Sequence, residues 1–290
     1  MQIVPFDSRD GLIWINGSYI KWSDAKCHIL NHGLHYGSCV FEGLRIYQGK
    51  IFRLFEHTKR LFKSAEILDL KIPYKLDQII KITEEIAKKQ NVKNGYIRPV
   101  VWRGSEMMEI SAKKASTNVA IATWEWPSYF SPEGILEGIK LTVADWVRPS
   151  PKSAPTDSKA AGLYMICSLS KHRAESKGFD DALMLDYRNY IAEATGANVF
   201  FVKNNELFTP KPDCFLDGIT RQTVINLAKK NGIKVNEDHF KLEFLAECDE
   251  VFLTGTAVEI TPVGFVDDYS FSVGDITKKL IKEFQKEVLL

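Results

Sequence analysis

The stretch Pro155-Thr156-Asp157-Ser158-Lys159-Ala160-Ala161-Gly162-Leu163-Tyr164 sets one lysine among small residues, with a tyrosine following; Glu193-Ala194-Thr195-Gly196 puts a carboxylate at a strand end. An amine with room around it can form a Schiff base with an aldehyde. A phenol can hold a ring oxygen, and a carboxylate can keep a pyridine nitrogen protonated. A lone lysine is ordinarily a solvated surface charge, so the rest of the chain must supply the remainder of any site.

Two segments suit anion binding. Gly218-Ile219-Thr220 opens a helical pattern, and Gly255-Thr256-Ala257 lies between two strand patterns. Backbone N–H groups at a helix start, joined by a hydroxyl, make a phosphate cradle. Taken alone, a Thr220 that caps its helix and a Gly255 that permits a turn are the simpler readings. Neither GxxxxGK[ST] nor GxGxxG occurs, which removes the nucleotide-type phosphate loops. Arg60, at the border of the apolar stripe of Leu61 and Phe62, can lean inward to clamp a phosphate or snorkel outward. Tyr96 and Arg98 share one strand face by period two, as a recognition surface or as an ordinary exposed face. His28, His32 and His35 have helix-like spacing, but Asn31, Gly33, Tyr36 and Gly37 point to a loop or turn, and no HExxH pattern accompanies them; no metal site is expected.

These groups need elements to position them. Gly11 to Trp22 alternates around Asn16-Gly17, a hairpin signal. Val40 to Tyr47 and Lys50 to Leu54 read as strands joined at Gln48-Gly49. Glu56 to Leu70 is helical, and a second helix is expected from an Asp77 N-cap to about Gln90. Tyr96–Trp102 and Asn118–Trp124 return to strand character. Residues 1–129 therefore read as a small α+β domain. A Pro/Ser/Gly-rich break follows, with 130–135 as linker and 136–290 as a larger domain. There, strands at hairpin spacing (Ala182–Asp186, Tyr190–Ala194, Val199–Lys203, Val251–Thr254, Val258–Val263) interleave with helices over 160–177 and 220–230 and a last helix after Asp275. A mixed sheet or barrel is expected in preference to a doubly wound parallel one.

The 290 residues suffice for two domains and a substantial core. A net charge of +1 with dispersed lysines gives no basis for a nucleic-acid or membrane partner. Five cysteines without a CxxC indicate neither a disulfide framework nor a zinc ribbon. With no signal-peptide pattern and no membrane-length apolar run, a cytoplasmic protein is expected.

Taken together, the ordered set resembles the class IV (fold type IV) pyridoxal-phosphate-dependent aminotransferases, and most of all the branched-chain amino acid aminotransferases. His32-Gly33-Leu34-His35-Tyr36-Gly37-Ser38-Cys39-Val40-Phe41-Glu42-Gly43 is similar to that group's N-terminal signature. The spacing of Arg60, Tyr96-Ile97-Arg98-Pro99, Lys159, Tyr164, Glu193, Gly218-Ile219-Thr220 and Gly255-Thr256-Ala257 matches from about Ile13 to Val266. The resemblance implies two α+β domains with the cofactor, pyridoxal 5′-phosphate, between them. It implies Lys159 as the amine that joins the cofactor and shuttles the substrate's proton, Glu193 on the pyridine nitrogen and Tyr164 on the ring oxygen. Arg60, Gly218, Ile219, Thr220, Gly255 and Thr256 would bind the phosphate. Tyr36, Phe41, Tyr96, Trp126 and Tyr129 would surround the side chain, Thr256-Ala257 would hold the α-carboxylate, and Arg98 a distal carboxylate. The partners would be amino acids and 2-oxo acids in ping-pong transamination, as part of branched-chain amino acid biosynthesis, by a homodimer or larger homo-oligomer.

Gly104-Ser105-Glu106-Met107-Met108-Glu109-Ile110-Ser111-Ala112-Lys113-Lys114 departs from the glycine-rich turn ending in Asn-Pro that the family often has. The tail after Asp267 is also shorter. Rivals on the same fold are a lyase of the aminodeoxychorismate lyase type, which lacks the His35-Tyr36-Gly37…Phe41-Glu42-Gly43 and Tyr96-Ile97-Arg98 combination, and a transaminase for D-amino acids or (R)-amines. A non-catalytic cofactor-binding protein would not need Lys159.

Overall fold

The computed structural model describes residues 4–126 and 137–290; Tyr129 and the expected linker, 130–135, lie outside the described residues. The chain forms two compact units, Met1–Pro127 with Ser158–Gly162, and Ser128–Asp157 with Leu163–Leu290. The strip around Lys159 thus groups with the first unit, although in sequence it lies within the 136–290 span expected for the second.

In the first unit, β1 (Leu12–Ile15) and β2 (Ser18–Lys21) are joined by Asn16 and Gly17 at φ 48° and 96°. Two successive positive φ values are what a tight two-residue hairpin requires, and Asn-Gly adopts them with least strain. Then come α1 (His32–Tyr36), β3 (Cys39–Phe41), β4 (Leu44–Tyr47), β5 (Lys50–Ile51), α2 (Leu54–Ile67), α3 (Leu76–Lys89), β6 (Gly95–Arg103) and β7 (Thr117–Glu125). The sheet runs β2-β1-β7-β6-β4-β5, with β3 also on β6. Leu61 and Ala65 of α2 and Ile79 and Ile86 of α3 join Trp14, Ile46, Ile97, Val101 and Ile121 of the sheet in one buried cluster. Spacings of four in α2 and seven in α3, and of four in β6, each return to the same face of their element, which is the apolar one.

Three local expectations are corrected. The single strand over Val40–Tyr47 is interrupted at Glu42-Gly43, where the Glu42 carboxylate turns inward and Tyr96 Oη occupies the space that a Cβ on Gly43 would fill. The histidine stretch is not all loop: His32–Tyr36 forms one helical turn, closed by Gly37 at φ 67°. The helix expected from an Asp77 cap starts a residue earlier than Asp77, at Leu76, with Lys75 N donating to Gln78 Oε1 at 2.8 Å. Asp77 sits instead in the first turn, where a negative charge favours the helix dipole.

The second unit contains β8 (Ile139–Val143), α4 (Tyr164–Ser176), β9 (Asp181–Leu185), β10 (Ile191–Ala194), β11 (Asn198–Lys203), β12 (Glu206–Pro210), α5 (Ile219–Lys230), β13 (Val235–Asp238), β14 (Glu250–Gly255), β15 (Glu259–Val266), β16 (Tyr269–Ser270) and α6 (Asp275–Glu287). The sheet runs β10-β9-β8-β15-β14-β11-β12-β13, and an added β10–β11 pairing closes six of these strands into a ring. β8 runs parallel to both β9 and β15, while β9–β10, β11–β14 and β14–β15 are antiparallel. Of the mixed sheet or barrel expected, the closed form is present. Val199, Phe201, Val251, Leu253 and Val263 belong to one buried cluster. Phe200 and Phe252, one residue out of phase and directly paired, stack at 5.1 Å. Burial of each such ring contributes about 1.5–3 kcal/mol.

Candidate active site

Lys159 is held through its backbone from two sides, both within the first unit. Phe41 N donates to the Lys159 carbonyl at 3.2 Å, and Val40 forms an antiparallel bridge with Ala160. Opposite, Lys159 N donates to Ser64 Oγ at 3.0 Å, and Ser158 Oγ donates to the Ser64 carbonyl at 2.9 Å. These bonds explain why Ser158–Gly162 groups with β3 and α2. The Lys159 side chain is half-buried, with Nζ 5.1 Å from the centre of the Phe41 ring.

Phe41 has a second cation over its ring. The Arg98 guanidinium lies 4.7 Å from Phe41 and 5.3 Å from Tyr96, and Nη2 donates to Tyr96 Oη at 3.4 Å. Tyr96 and Arg98 do share a strand face, but Tyr96 is buried, so the face is not an ordinary solvated one. Trp126 closes on Tyr96 with ring centres 5.3 Å apart. Arg98 also lines a mostly apolar hollow of about 540 Å³ with Leu34, Cys39 and Trp102. Tyr36 stands on α1, exposed, its hydroxyl donating to the Met108 carbonyl at 3.2 Å. It thereby ties α1 to the atypical 104–114 segment.

The three histidines direct their ring nitrogens to separate partners. His32 meets Ser38 Oγ at 2.6 Å and the Glu109 carbonyl at 3.0 Å, His35 meets the Ile29 carbonyl at 2.9 Å, and His28 accepts from Leu30 N at 3.1 Å.

Arg60 leans inward. Its Nε donates to Glu42 Oε1 at 2.6 Å and its Nη2 to Glu42 Oε2 at 3.0 Å. Glu42 is wholly buried and also accepts from His57 Nδ1 at 2.7 Å. Burial alone would raise the Glu42 pKa, but Arg60 and then His57 outweigh it and hold the carboxyl well below the usual range. Burial lowers the His57 pKa, and the pull of Glu42 does not fully offset this. His57 is therefore a neutral imidazole at neutral pH, with its proton on Nδ1.

In the second unit, one residue that sequence reasoning passed over organises the other groups. Asn198 Nδ2 donates to Glu193 Oε2 at 3.2 Å and to the Leu216 carbonyl at 3.1 Å, while its Oδ1 accepts from Gly218 N at 3.2 Å. Asn198 also pairs with Thr254 on β14. Glu193 on β10 and the start of α5 are thus joined through the Asn198 side chain, and its backbone adds the end of β14. Gly218 must be glycine here, since a Cβ would overlap Asn198 Oδ1. The next helix residues are Ile219 and Thr220, both buried, and no side chain caps their N–H groups. Gly255-Thr256-Ala257 forms the β14–β15 turn beside the β10–β11 turn; a Cβ on Gly255 would lie 3.4 Å from Ala197 Cβ and from the Gly196 carbonyl.

Arg148, also unforeseen, backs Glu193. Its Nε is 3.4 Å from Glu193 Oε1, and its Nη1 donates to Cys167 Sγ at 3.4 Å. Burial opposes the guanidinium's charge, but Glu193, followed by Cys167 and Tyr164, outweighs it and raises the Arg148 pKa. Burial pushes the Cys167 thiol up to about 11, so the sulfur is neutral and accepts. Tyr164 opens α4, half-buried. Elsewhere, Asp186, Asp213 and Cys214 come within metal-ligand reach of one another, yet Arg188 Nη2 already bridges the two carboxylates at 2.6 and 2.9 Å.

Glu42 and Asn198 left faint signals. Glu42 interrupts the apolar run Cys39-Val40-Phe41…Leu44, and Asn198 heads Val199-Phe200-Phe201-Val202 directly after a glycine turn. A polar residue in such a run must find a buried partner. Arg148, between Trp146-Val147 and Pro149, left none.

The donor sets fit a phosphorylated pyridine aldehyde. The first unit offers an amine and an oriented guanidinium. The second offers a carboxylate whose charge Arg148 favours, and an uncapped helix start that suits a phosphate.

The chain matches the family model described as Amino-transferase class IV over residues 39–264. It is 45% identical over 292 residues to a probable branched-chain-amino-acid aminotransferase of Rickettsia felis, covering 99% of each chain. Among solved structures it is similar to a T.th. branched-chain amino acid aminotransferase with pyridoxamine 5′-phosphate (TM-score 0.94, 35% identity, 97% of this chain and 94% of that one). It is similar also to that enzyme complexed with N-(5′-phosphopyridoxyl)-L-glutamate (TM-score 0.92, 34% identity, 97% and 94%).

Proposed function

The chain belongs to the class IV aminotransferase family, and on that premise we propose that it moves the amino group between L-branched-chain amino acids and 2-oxoglutarate with pyridoxal 5′-phosphate. The observation that carries the reading is the Phe41 ring, with Lys159 Nζ at 5.1 Å and the Arg98 guanidinium at 4.7 Å. One aromatic surface between a reacting amine and a second cation serves an apolar side chain and a carboxylated one in turn. The names of the similar proteins, and the phosphopyridoxyl-glutamate held by one of them, support the same assignment.

When bound, pyridoxal phosphate supplies an aldehyde that takes up the amino group and a protonated ring that spreads the charge left at Cα. Lys159 Nζ would hold that aldehyde carbon, with loss of water, and once the incoming amino group displaces it the freed amine would hold and move the proton from substrate Cα. Glu193, flanked by Arg148 and Asn198, keeps the proton on the pyridine nitrogen. Tyr164 donates its hydroxyl proton to the ring oxygen. Arg60 and the main chain at Gly218, Ile219, Thr220, Gly255 and Thr256 hold the phosphate. Tyr36, Phe41, Tyr96 and Trp126 line the side-chain pocket, the N–H groups of Thr256 and Ala257 hold the α-carboxylate, and Arg98 binds the distal carboxylate of glutamate.

The enzyme works in the cytoplasm as a homodimer or larger homo-oligomer. The five free thiols fit a reducing compartment, and the exposed Ile29, Leu30 and Leu34 fit an apolar contact with a second copy. Among the described residues no helix is long and apolar enough to cross a membrane.

The test is glutamate production from 2-oxoglutarate with a panel of donors. L-leucine, L-isoleucine or L-valine should support it and D-alanine should not; a preference for D-alanine would contradict the assignment.

A further inference from the structure

The transaminase reading gives Glu42 no task, yet no carboxylate among the described residues is more deeply buried. Both its oxygens are engaged by Arg60, and His57 Nδ1 and Gly43 N, the latter at 3.2 Å, add further donors to Oε2. A carboxylate so placed is not a proton donor or acceptor in waiting. Its chemistry is to hold a guanidinium in one plane and one rotamer.

The setting gives that restraint a purpose. Arg60 and Ser64 lie four residues apart on α2, and so on one face of the helix. Ser64 bonds the backbone of Ser158 and Lys159. On the other side of the Lys159 strip runs β3, whose Phe41 N bonds the Lys159 carbonyl. Glu42 is the next residue after β3, and it reaches Arg60. The Glu42–Arg60 pair therefore ties the end of β3 to α2, with the reactive lysine's backbone held between them.

We propose that Glu42, braced by His57, is a positioning residue that orients the Arg60 guanidinium toward the cofactor's phosphate at a set place relative to Lys159. The proposal rests on the reading that Arg60 holds the phosphate. It makes the enzyme's preference for a phosphorylated over an unphosphorylated aldehyde depend on a residue that touches neither. Glutamine at this position keeps the shape but offers one acceptor oxygen and one unwanted donor to Arg60 and His57.

The test is the pair of dissociation constants for pyridoxal phosphate and for pyridoxal, read from the absorbance of the Lys159-bound chromophore on the full chain. It is run for wild type, E42Q, R60A and E42Q/R60A. Wild type should prefer the phosphorylated aldehyde strongly, and R60A should lose roughly 10–100-fold of that preference. E42Q should lose about tenfold of it with pyridoxal affinity nearly unchanged, and the double variant should match R60A alone. Equal weakening toward both aldehydes in E42Q, or losses in the double variant that add, would mean a merely structural Glu42 and would overturn the proposal. An R60A protein with wild-type preference would instead overturn the phosphate reading of Arg60 and the proposal with it. E42D, which keeps the charge on a shorter arm, provides the same comparison if E42Q does not fold; the wild-type preference in E42D would count against an orienting role.

Discussion

Replacing Asn198 probes the second unit where β10, β11 and the start of α5 meet. Asn198→Ala removes the hydrogen bonds to Glu193, to the Leu216 carbonyl and from Gly218 N. Neutral bonds contribute about 1 kcal/mol each, and the one to a carboxylate roughly 1.5–3 kcal/mol. Because the three share one side chain and the site relaxes in part, a net loss of about 3 kcal/mol is expected. For a unit of this size that lowers the melting temperature by roughly 6–12 °C. Asn198→Asp separates geometry from charge. It keeps an acceptor for Gly218 N but sets a second carboxylate against Glu193, which raises the proton affinity of that pair. Calorimetry of both variants with and without pyridoxal phosphate is the assay. N198D should lose more of the stabilisation that added cofactor confers than N198A does, since Glu193 would no longer be a dependable anion for the ring nitrogen. A melting temperature within about 2 °C of wild type for N198A would refute the reasoning.

Arg98→Ala should raise KM for 2-oxoglutarate by roughly 10–100-fold while KM for L-leucine moves little, because one charge-assisted contact is lost to only one substrate; equal changes for both would place Arg98 elsewhere. The lowered His57 pKa predicts acid sensitivity. The unfolded chain binds the proton more tightly, so stability is full above about pH 6.5 and falls as pH drops below that value, by at most about 1.4 kcal/mol per unit. Glu42, whose folded pKa is depressed, contributes above about pH 4.5 and loses that contribution only at lower pH. Melting temperatures from pH 7.5 to 5.5 should therefore fall more steeply for wild type than for His57→Asn, and parallel slopes would contradict the buried neutral imidazole.

Local chemistry in the sequence was legible where the backbone itself demanded a residue type. Asn16-Gly17, read as a hairpin signal, does form a two-residue turn, with φ of 48° and 96°. Patterning could not foresee β13: Val235-Asn236-Glu237-Asp238 has no apolar alternation and is a strand because β12 pairs with it in parallel. Closure of the barrel was equally hidden, since β10–β11 pairing is a tertiary event. The candidate residues stood out in the sequence because Lys159, Glu193 and the glycine turns have distinctive types in distinctive order. Their supports did not. Glu42 and Asn198 work through partners 18 and 20 residues away, and Arg148 through one still farther along the chain. Such pairings exist only once the strands and helices are in place.

The most direct measurement is the absorption spectrum of the protein loaded with pyridoxal phosphate, first with L-leucine alone and then with 2-oxoglutarate. Wild type should convert the aldehyde-state band to the amine-state band with L-leucine and recover it with 2-oxoglutarate. Lys159→Ala should do so more slowly by at least about 10²–10⁴-fold. A band that L-leucine leaves unmoved, or a Lys159→Ala protein that converts at the wild-type rate, would contradict transamination at Lys159.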